Sequence, residues 1–263
     1  MLQNARVYVK LLRMNILAGV EYKGWWLMVI QTFVVVLADL VSTFLLFSRF
    51  GSIGEWTLER IVLIYALAVT AFGLAETLCR GFDYFPWHMI RSGNFDRVLL
   101  RPRSLTVQVA GSYFHLHRIS RVVTGLFLII WALSRMGVTL GPWQILMLLC
   151  CLCGGFVMYC GVFILTSGIA FFSIKSLDWI FILTNASYQV ARCPVPYLPR
   201  ILYHVFTFFL PMLVISYYPA SALCGWGEPL WTGWMALPAG LAFLGISLAV
   251  WRFGVRHYKS TGS

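Results

Sequence analysis

Long apolar runs with almost no charge constrain this chain more than any other feature of its sequence. A membrane-spanning helix needs about 20 mostly apolar residues, because the hydrocarbon core of a bilayer is about 30 Å thick. The clearest candidates, each flanked by aromatic or basic residues, are residues 25–47, 61–79, 143–172 and 231–251. Only 11% of all residues are charged, against about 25% in soluble domains. The sequence therefore predicts one polytopic membrane domain over residues 1–263.

Two further runs are weaker candidates for spans. Residues 119–136 are apolar mainly beyond Arg121, so we expect this arginine to reach the membrane interface or the helix to extend backwards. Residues 176–192 are short and polar in their second half. With these two runs, the fold class that we expect is an all-α bundle of six transmembrane helices.

Prolines interrupt the apolar residues 194–227, which precede the last run. They are Pro194, Pro196, Pro199, Pro211 and Pro219. Proline breaks a helix, and broken backbone at membrane depth is tolerated only where protein or water shields it. This segment is therefore predicted to form a re-entrant helical hairpin.

The distribution of basic residues predicts that both termini are cytoplasmic. With the amino terminus inside, most of the 20 Lys and Arg residues fall in inside segments, as the positive-inside rule requires. Residues 1–24 place apolar residues opposite basic ones at helical spacing, which predicts an interfacial helix rather than a cleavable leader. Orientation and anionic membrane lipid account for the net charge of +11, and nucleic-acid binding is not required.

The cytoplasmic loop predicted at residues 80–118 holds the most informative run of the sequence. A turn at Gly93 and the acidic Asp96 precede Leu99 and Leu100, and Arg101 then leads into Pro102. A short helix that offers leucines and arginines to a soluble partner would have this pattern. A loop whose leucines rest on the bilayer while its arginines contact lipid phosphates fits the residues equally well.

The pattern Gly93-x-x-Asp96-x-x-Leu99-Leu100-Arg101-Pro102 resembles the coupling segment of the type-2 permeases of ATP-binding-cassette (ABC-2) exporters. A second run resembles the re-entrant segment before their last span. It comprises Pro196-x-x-Pro199, Pro211 and Tyr217-Tyr218-Pro219-Ala220. The resemblance extends over essentially the whole chain and is closest to a bacterial subfamily of about this size.

This resemblance implies a permease with six helices per subunit in the bacterial inner membrane. It implies a dimeric pore, built with a second permease copy or a related permease, and a separate cytoplasmic ABC ATPase subunit. The sequence contains no G-x-x-x-x-G-K-[ST] motif for the phosphates of ATP. We therefore expect this chain to bind no cofactor of its own, while ATP and Mg are bound by the partner ATPase.

By the same resemblance, residues near Gly93 to Arg103 would couple the permease to the ATPase. Leu99 and Leu100 are expected to anchor in a groove of the ATPase. The charged residues Asp96, Arg97 and Arg101 are expected to form charge-assisted hydrogen bonds across the interface.

Two acidic residues fall inside predicted spans, where an ionisable side chain is a functional candidate. Glu76 lies near the cytoplasmic end of the second span and is expected to reach the interface and pair with Arg80, one turn on. Asp39 lies towards the outer end of the first span, where it could pair with Arg49 or form a hydrogen bond to a neighbour. Both helix packing and substrate contact are open roles for Asp39.

Small and sulfur-containing residues in the fourth span predict packing rather than chemistry. Gly154, Gly161 and Gly168 recur every seven residues, so another helix can approach closely along this stripe. Cys150 and Cys153 have a C-x-x-C spacing, but a metal site would need further ligands. We expect neither a metal site nor a disulfide framework.

Two other classes of protein are less consistent with the sequence. An intramembrane enzyme would need paired catalytic groups at membrane depth, and the one histidine pair, His115-x-His117, has no carboxylate near it in sequence. A secondary transporter or channel is the main alternative, although such carriers often show internal repeats and charged midplane residues. Few polar side chains occur in any span, which favours lipid-like or amphipathic cargo over ions.

Overall fold

Helices dominate the computed structural model, which describes residues 2–21, 23–52, 54–172, 178–193 and 198–258. No β-strand occurs in these ranges. The α-helices within them are α1 (Leu2–Glu21), α2 (Trp25–Phe50), α3 (Leu58–Leu78), α4 (Arg80–Phe85), α5 (Phe95–Leu99), α6 (Leu105–Ala110), α7 (Ile119–Arg135), α8 (Pro142–Ala170), α9 (Asp178–Ala191), α10 (Arg200–His204), α11 (Tyr217–Cys224) and α12 (Ala236–His257).

Five helices are long and apolar enough to cross a membrane: α2, α3, α7 with the turn before it, α8 and α12. Two further helical segments, Arg200–Phe209 and Leu213–Cys224, are bent by 69° at the break between them and together make a sixth candidate. The expected polytopic helical bundle is confirmed, and the bent pair matches the segment that was predicted to be re-entrant.

The fifth predicted span, residues 176–192, corresponds to α9. This helix has 14 described residues, which at 1.5 Å per residue extend about 21 Å, less than the thickness of a hydrocarbon core. Residues 173–177 lie outside the described part of the chain. The described part of α9 is therefore shorter than a complete span.

The central helix of the bundle is α3. Within its most apolar stretch 83% of the residues are buried, against 11% for α2. Its neighbours include α7, α8 and α9, so its side chains pack against other helices on nearly all sides. By contrast, α2 lies at the periphery and exposes large apolar side chains along most of its length.

The predicted small-residue stripe of α8 is the contact surface for α12. A Cβ atom added at Gly154 would lie 2.4 Å from the backbone carbonyl carbon of Ala236, and one at Gly161 would lie 2.7 Å from the ring of Phe243. Since real Cβ atoms do not approach other atoms so closely, only glycine permits this helix spacing. The prediction that these glycines serve packing is confirmed.

Helix α1 packs at the end of the bundle where α3 ends. The Tyr8 hydroxyl donates a hydrogen bond to the Leu78 carbonyl (2.6 Å), and the Asn15 side-chain amide donates one to the Gly111 carbonyl (2.9 Å). The helical prediction for this segment is confirmed over Leu2–Glu21. The amino-terminal helix and the loop predicted at residues 80–118 therefore lie at the same end of the molecule.

Candidate functional site

The segment predicted to couple to an ATPase forms a short helix after a glycine turn. Helix α4 continues into a π-helical turn, Pro86–Ile90, and the backbone reverses at Gly93, whose φ angle is +70°. This left-handed conformation carries no steric cost for glycine, because glycine has no Cβ atom. Helix α5, Phe95–Leu99, follows directly.

Exposure increases from the beginning to the end of α5. Leu99 is 40% exposed and Leu100, which caps the helix, is 86% exposed. Arg97, Arg101 and Pro102 are also exposed, whereas Asp96 is half-buried. The leucines and arginines that were predicted to meet a partner are therefore accessible, at least in part.

The amino-terminal end of α5 is anchored by Phe95, which is completely buried. Its ring centroid lies 5.1 Å from that of Phe85, 5.5 Å from that of Phe171 and 5.0 Å from that of Tyr258. Trp251 of α12 packs against Phe85 and Phe171 in the same aromatic cluster. Helix α5 is thus joined to the ends of α8 and α12.

Sequence reasoning missed Phe95, although it is the one aromatic residue of α5. A signal was present, since a large aromatic side chain within an otherwise charged and aliphatic helix usually needs a buried environment.

Glu76 lies at the centre of a buried ion cluster, referred to below as the Glu76 cluster. It is 2% exposed, and its carboxylate accepts hydrogen bonds from Arg80 and Arg121. Arg118 approaches the same carboxylate at 3.5 Å, and Arg80 also pairs with Asp83 at 3.3 Å. The predicted pairing of Glu76 with Arg80 is confirmed.

The structure corrects how these charges were expected to be accommodated. Glu76 was expected to reach the interface, but it is enclosed by the protein. For Arg121 the alternative of a helix that extends backwards is confirmed, since the candidate span begins at Leu116, whereas its side chain does not extend to the membrane surface but is buried and points to Glu76. The physical reason is the same for both residues. The carboxylate of Glu76 and the guanidinium group of Arg121 neutralise each other inside the protein, so neither group needs contact with water.

Asp39 forms the second ion pair between helices. Its Oδ2 atom accepts a hydrogen bond from Nη1 of Arg192 (2.5 Å) and one from the Tyr65 hydroxyl (3.2 Å). The suggested pairing with Arg49 is therefore wrong, whereas a hydrogen bond to a neighbouring helix is present. Sequence reasoning missed Arg192, because α9 and α2 are far apart in the sequence and no local pattern links them.

A cavity of about 310 Å³ connects Asp39 to the Glu76 cluster, among α2, α3, α4, α7 and α9. Tyr188 lies between the two ion pairs, with the guanidinium of Arg192 4.3 Å and that of Arg121 5.7 Å from its ring centroid. Its ring stacks on Phe72 at 4.4 Å. Tyr65 and Glu76 are eleven residues apart on α3, so the charged groups extend over about 16 Å along its axis.

Burial and charge shift two pKa values beside this cavity, outside the spans. Burial lowers the pKa of His115 to about 4, and the charges of His117, Arg80 and Arg118 act in the same direction. Burial raises the pKa of Asp83, and the charge of Arg80 partly opposes this rise. Both shifts follow from the cost of placing a charge in a poorly hydrated environment.

The bent pair and α12 enclose a second, mostly apolar cavity of about 560 Å³. Pro199 precedes α10, Pro211 lies at the break and Pro219 lies in the first turn of α11. Pro196 falls outside the described residues. The hydroxyl groups of Tyr203 and Tyr218 lie 3.1 Å apart beside the cavity.

Long apolar helices, a bent helix pair and ion pairs that join helices define a polytopic membrane protein. The chain belongs to the ABC-2 transporter family, because the model of a family described as ABC-2 family transporter protein matches residues 33–262. No curated protein and no solved structure matches it. The resemblance noted in the sequence is confirmed, and the chain is a membrane permease component of a transporter, a type of subunit that is generally not itself catalytic.

Proposed function

We propose that this chain is the permease subunit of an ATP-driven exporter in the inner membrane of a bacterium. It forms the translocation pathway together with a second permease copy or a related permease, and a separate cytoplasmic ATPase subunit supplies the energy. The ATPase binds ATP and Mg, while this chain binds neither a cofactor nor a metal. Membership of the ABC-2 transporter family supports the proposal, as does the missing phosphate-binding motif in the sequence.

The difference between the buried beginning and the exposed end of α5 carries the proposal. Leu99 and Leu100 form an apolar tip that is partly exposed at Leu99 and largely exposed at Leu100, and such a tip flanked by arginines suits a groove on a partner. Phe95 fixes the same helix to α8 and α12. A movement of the ATPase at the tip would therefore be passed to two membrane-spanning helices through close-packed aromatic rings.

The proposed orientation places both termini and residues 80–118 in the cytoplasm, with α1 along the membrane surface. The contacts of α1 with Leu78 and Gly111 support this arrangement, because they bring the basic amino-terminal helix to the same end as the coupling segment. Anionic lipid at the cytoplasmic surface would favour this basic end.

The cargo that fits this scheme is lipid-like or amphipathic. The apolar cavity between the bent pair and α12 supports this class of cargo, since aromatic and aliphatic side chains line most of it. The exposed apolar side of α2 provides surface for lipid or for the second permease subunit.

Replacing both Leu99 and Leu100 by Asp tests the proposal. The double variant would have to bury two carboxylates in the interface with the ATPase, which is unfavourable. We therefore expect that the ATPase no longer co-purifies with the permease and that ATP-driven transport is lost. Leu230→Asp is the matched control, since Leu230 is also exposed but lies before α12, at the opposite end of that helix from the Phe95 anchor. Intact assembly and transport in the double variant would contradict the proposal.

A further inference from the structure

The charges around the 310 Å³ cavity do not balance. Its lining includes four arginines and three carboxylates, namely Arg80, Arg118, Arg121 and Arg192 with Asp39, Glu76 and Asp83. One positive charge is therefore in surplus around a cavity that helices line and that remains accessible at one side. An uncompensated charge is costly where water is scarce, so this surplus calls for an anion.

The surplus can be assigned to the Glu76 cluster. Arg192 and Asp39 neutralise each other at the far end of the cavity. At the near end, Arg80 and Arg121 occupy the two oxygens of Glu76, and Arg118 reaches the same carboxylate only at 3.5 Å. Arg118 is therefore the least well paired of these arginines.

Unused hydrogen-bond donors accompany this excess charge. Within the described part of the chain, the Nε atoms of Arg80, Arg118 and Arg121 are buried and have no hydrogen-bond partner. Buried donors in native proteins are nearly always paired, with protein, water or ligand. Three guanidinium groups with spare donors form the kind of arrangement that binds oxygen atoms of phosphate or carboxylate groups.

The cavity is accessible from the surface of the molecule. Asn185 and Gln189 of α9 line it and are themselves exposed. Its volume is at the lower end of the range for small-molecule sites, which suits one anionic group with a few attached atoms. The raised pKa of Asp83 acts in the same direction, since a protonated Asp83 would increase the positive surplus.

We propose that this cavity is a binding site for a single phosphate-type anionic group, held by Arg118 together with Arg80 and Arg121. The group belongs either to the headgroup of a membrane lipid or to a free solute. The inference does not rest on coupling to an ATPase, because it concerns binding by the permease alone.

The test compares the thermal stability of the full-length permease in three environments. They are nanodiscs of phosphatidylcholine, the same nanodiscs with added inorganic phosphate, and nanodiscs with four parts phosphatidylcholine to one part phosphatidylglycerol. A ligand at a concentration far above its Kd raises the Tm of a protein of this size by about 5 °C or more. A rise with phosphatidylglycerol alone indicates a lipid headgroup, and a rise with phosphate indicates a free anion.

Variants separate the cavity from general attraction to the basic surface. Arg118→Gln removes the surplus charge and is expected to lose most of the rise in Tm, whereas Arg118→Lys keeps the charge and is expected to retain it. Arg252→Gln, at an exposed position of α12, loses the same net charge and is expected to retain the full rise. The proposal is overturned if neither anion stabilises the wild type, a result that needs no variant to fold, or if Arg118→Gln responds as the wild type does.

Discussion

Glu76 and Arg121, 45 residues apart in the chain, form an ion pair in the interior of the helix bundle. The pair joins α3 to α7, a contact that was not predicted from the sequence. Arg80 and Arg118 share the same carboxylate, so a single acidic side chain organises the junction between two candidate spans and the loop that connects them.

Removing the charge of Glu76 is expected to destabilise the protein strongly. Glu76→Gln leaves Arg121 without its anionic partner and leaves Arg80 with Asp83 alone, and breaking a buried pair from one side costs about 3–5 kcal/mol. Thermal unfolding in detergent should therefore show a large fall in Tm, while Glu55→Gln at an exposed position should leave it unchanged. If the stability losses of Glu76→Gln and Arg121→Gln simply add in the double variant, the two charges are not coupled as described.

The approach of α8 to α12 predicts that even one methyl group at Gly154 is harmful. A Cβ atom there would meet the Ala236 backbone at 2.4 Å, so Gly154→Ala must push the helices apart, at a cost of about 1–3 kcal/mol. Gly245→Ala is the control in α12, since nothing lies within 4 Å of its Cβ position. Equal Tm values for the two variants would show that the helices are not in this close contact.

Phe95 is expected to affect coupling more than docking. Phe95→Leu keeps an apolar side chain but loses the ring contacts with Phe85, Phe171 and Tyr258. The exposed tip of α5 is unchanged, so the ATPase should still co-purify, but the ratio of cargo transported to ATP hydrolysed should fall. Phe127→Leu, at an exposed aromatic position of α7, is the control. Loss of co-purification with unchanged coupling in the remaining complex would reverse the roles assigned to Phe95 and to the exposed leucines of α5.

His115 predicts a dependence of stability on pH. Its pKa falls from the ordinary 6.5 to about 4 in the folded protein, so between these values the unfolded chain binds more protons than the folded one. The contribution of His115 is therefore fully present above about pH 6.5 and is lost as the pH falls towards 4. Between pH 7 and pH 5 the Tm of the His115→Asn variant should fall less than that of the wild type. The Tm of the variant His257→Asn, at an exposed position, should fall by as much as that of the wild type. Parallel curves for His115→Asn and the wild type would refute this assignment.

Hydropathy and spacing predicted the elements that depend on local sequence. The long apolar helices, the glycine stripe of α8 and the proline break in residues 194–227 each result from residues close together in the chain. The pairing of Asp39 with Arg192 could not be predicted from hydropathy and spacing. Hydropathy indicates the depth of a residue in the membrane, but it does not indicate which neighbouring helix its side chain faces. For Glu76 and Arg121 a clue existed, since both lie near the same predicted membrane surface and opposite charges at one depth favour each other.

Crosslinking from the exposed end of α5 would show whether this surface contacts an ATPase. A photoreactive amino acid placed at Leu100 in cells should form a crosslink to a cytoplasmic ATPase subunit, and the same amino acid at Leu230 should not. That result would place the exposed tip of α5 on the cytoplasmic side and in contact with the ATPase. Labelling of position 100 by a reagent that cannot cross the membrane, with no crosslink to an ATPase, would contradict the account.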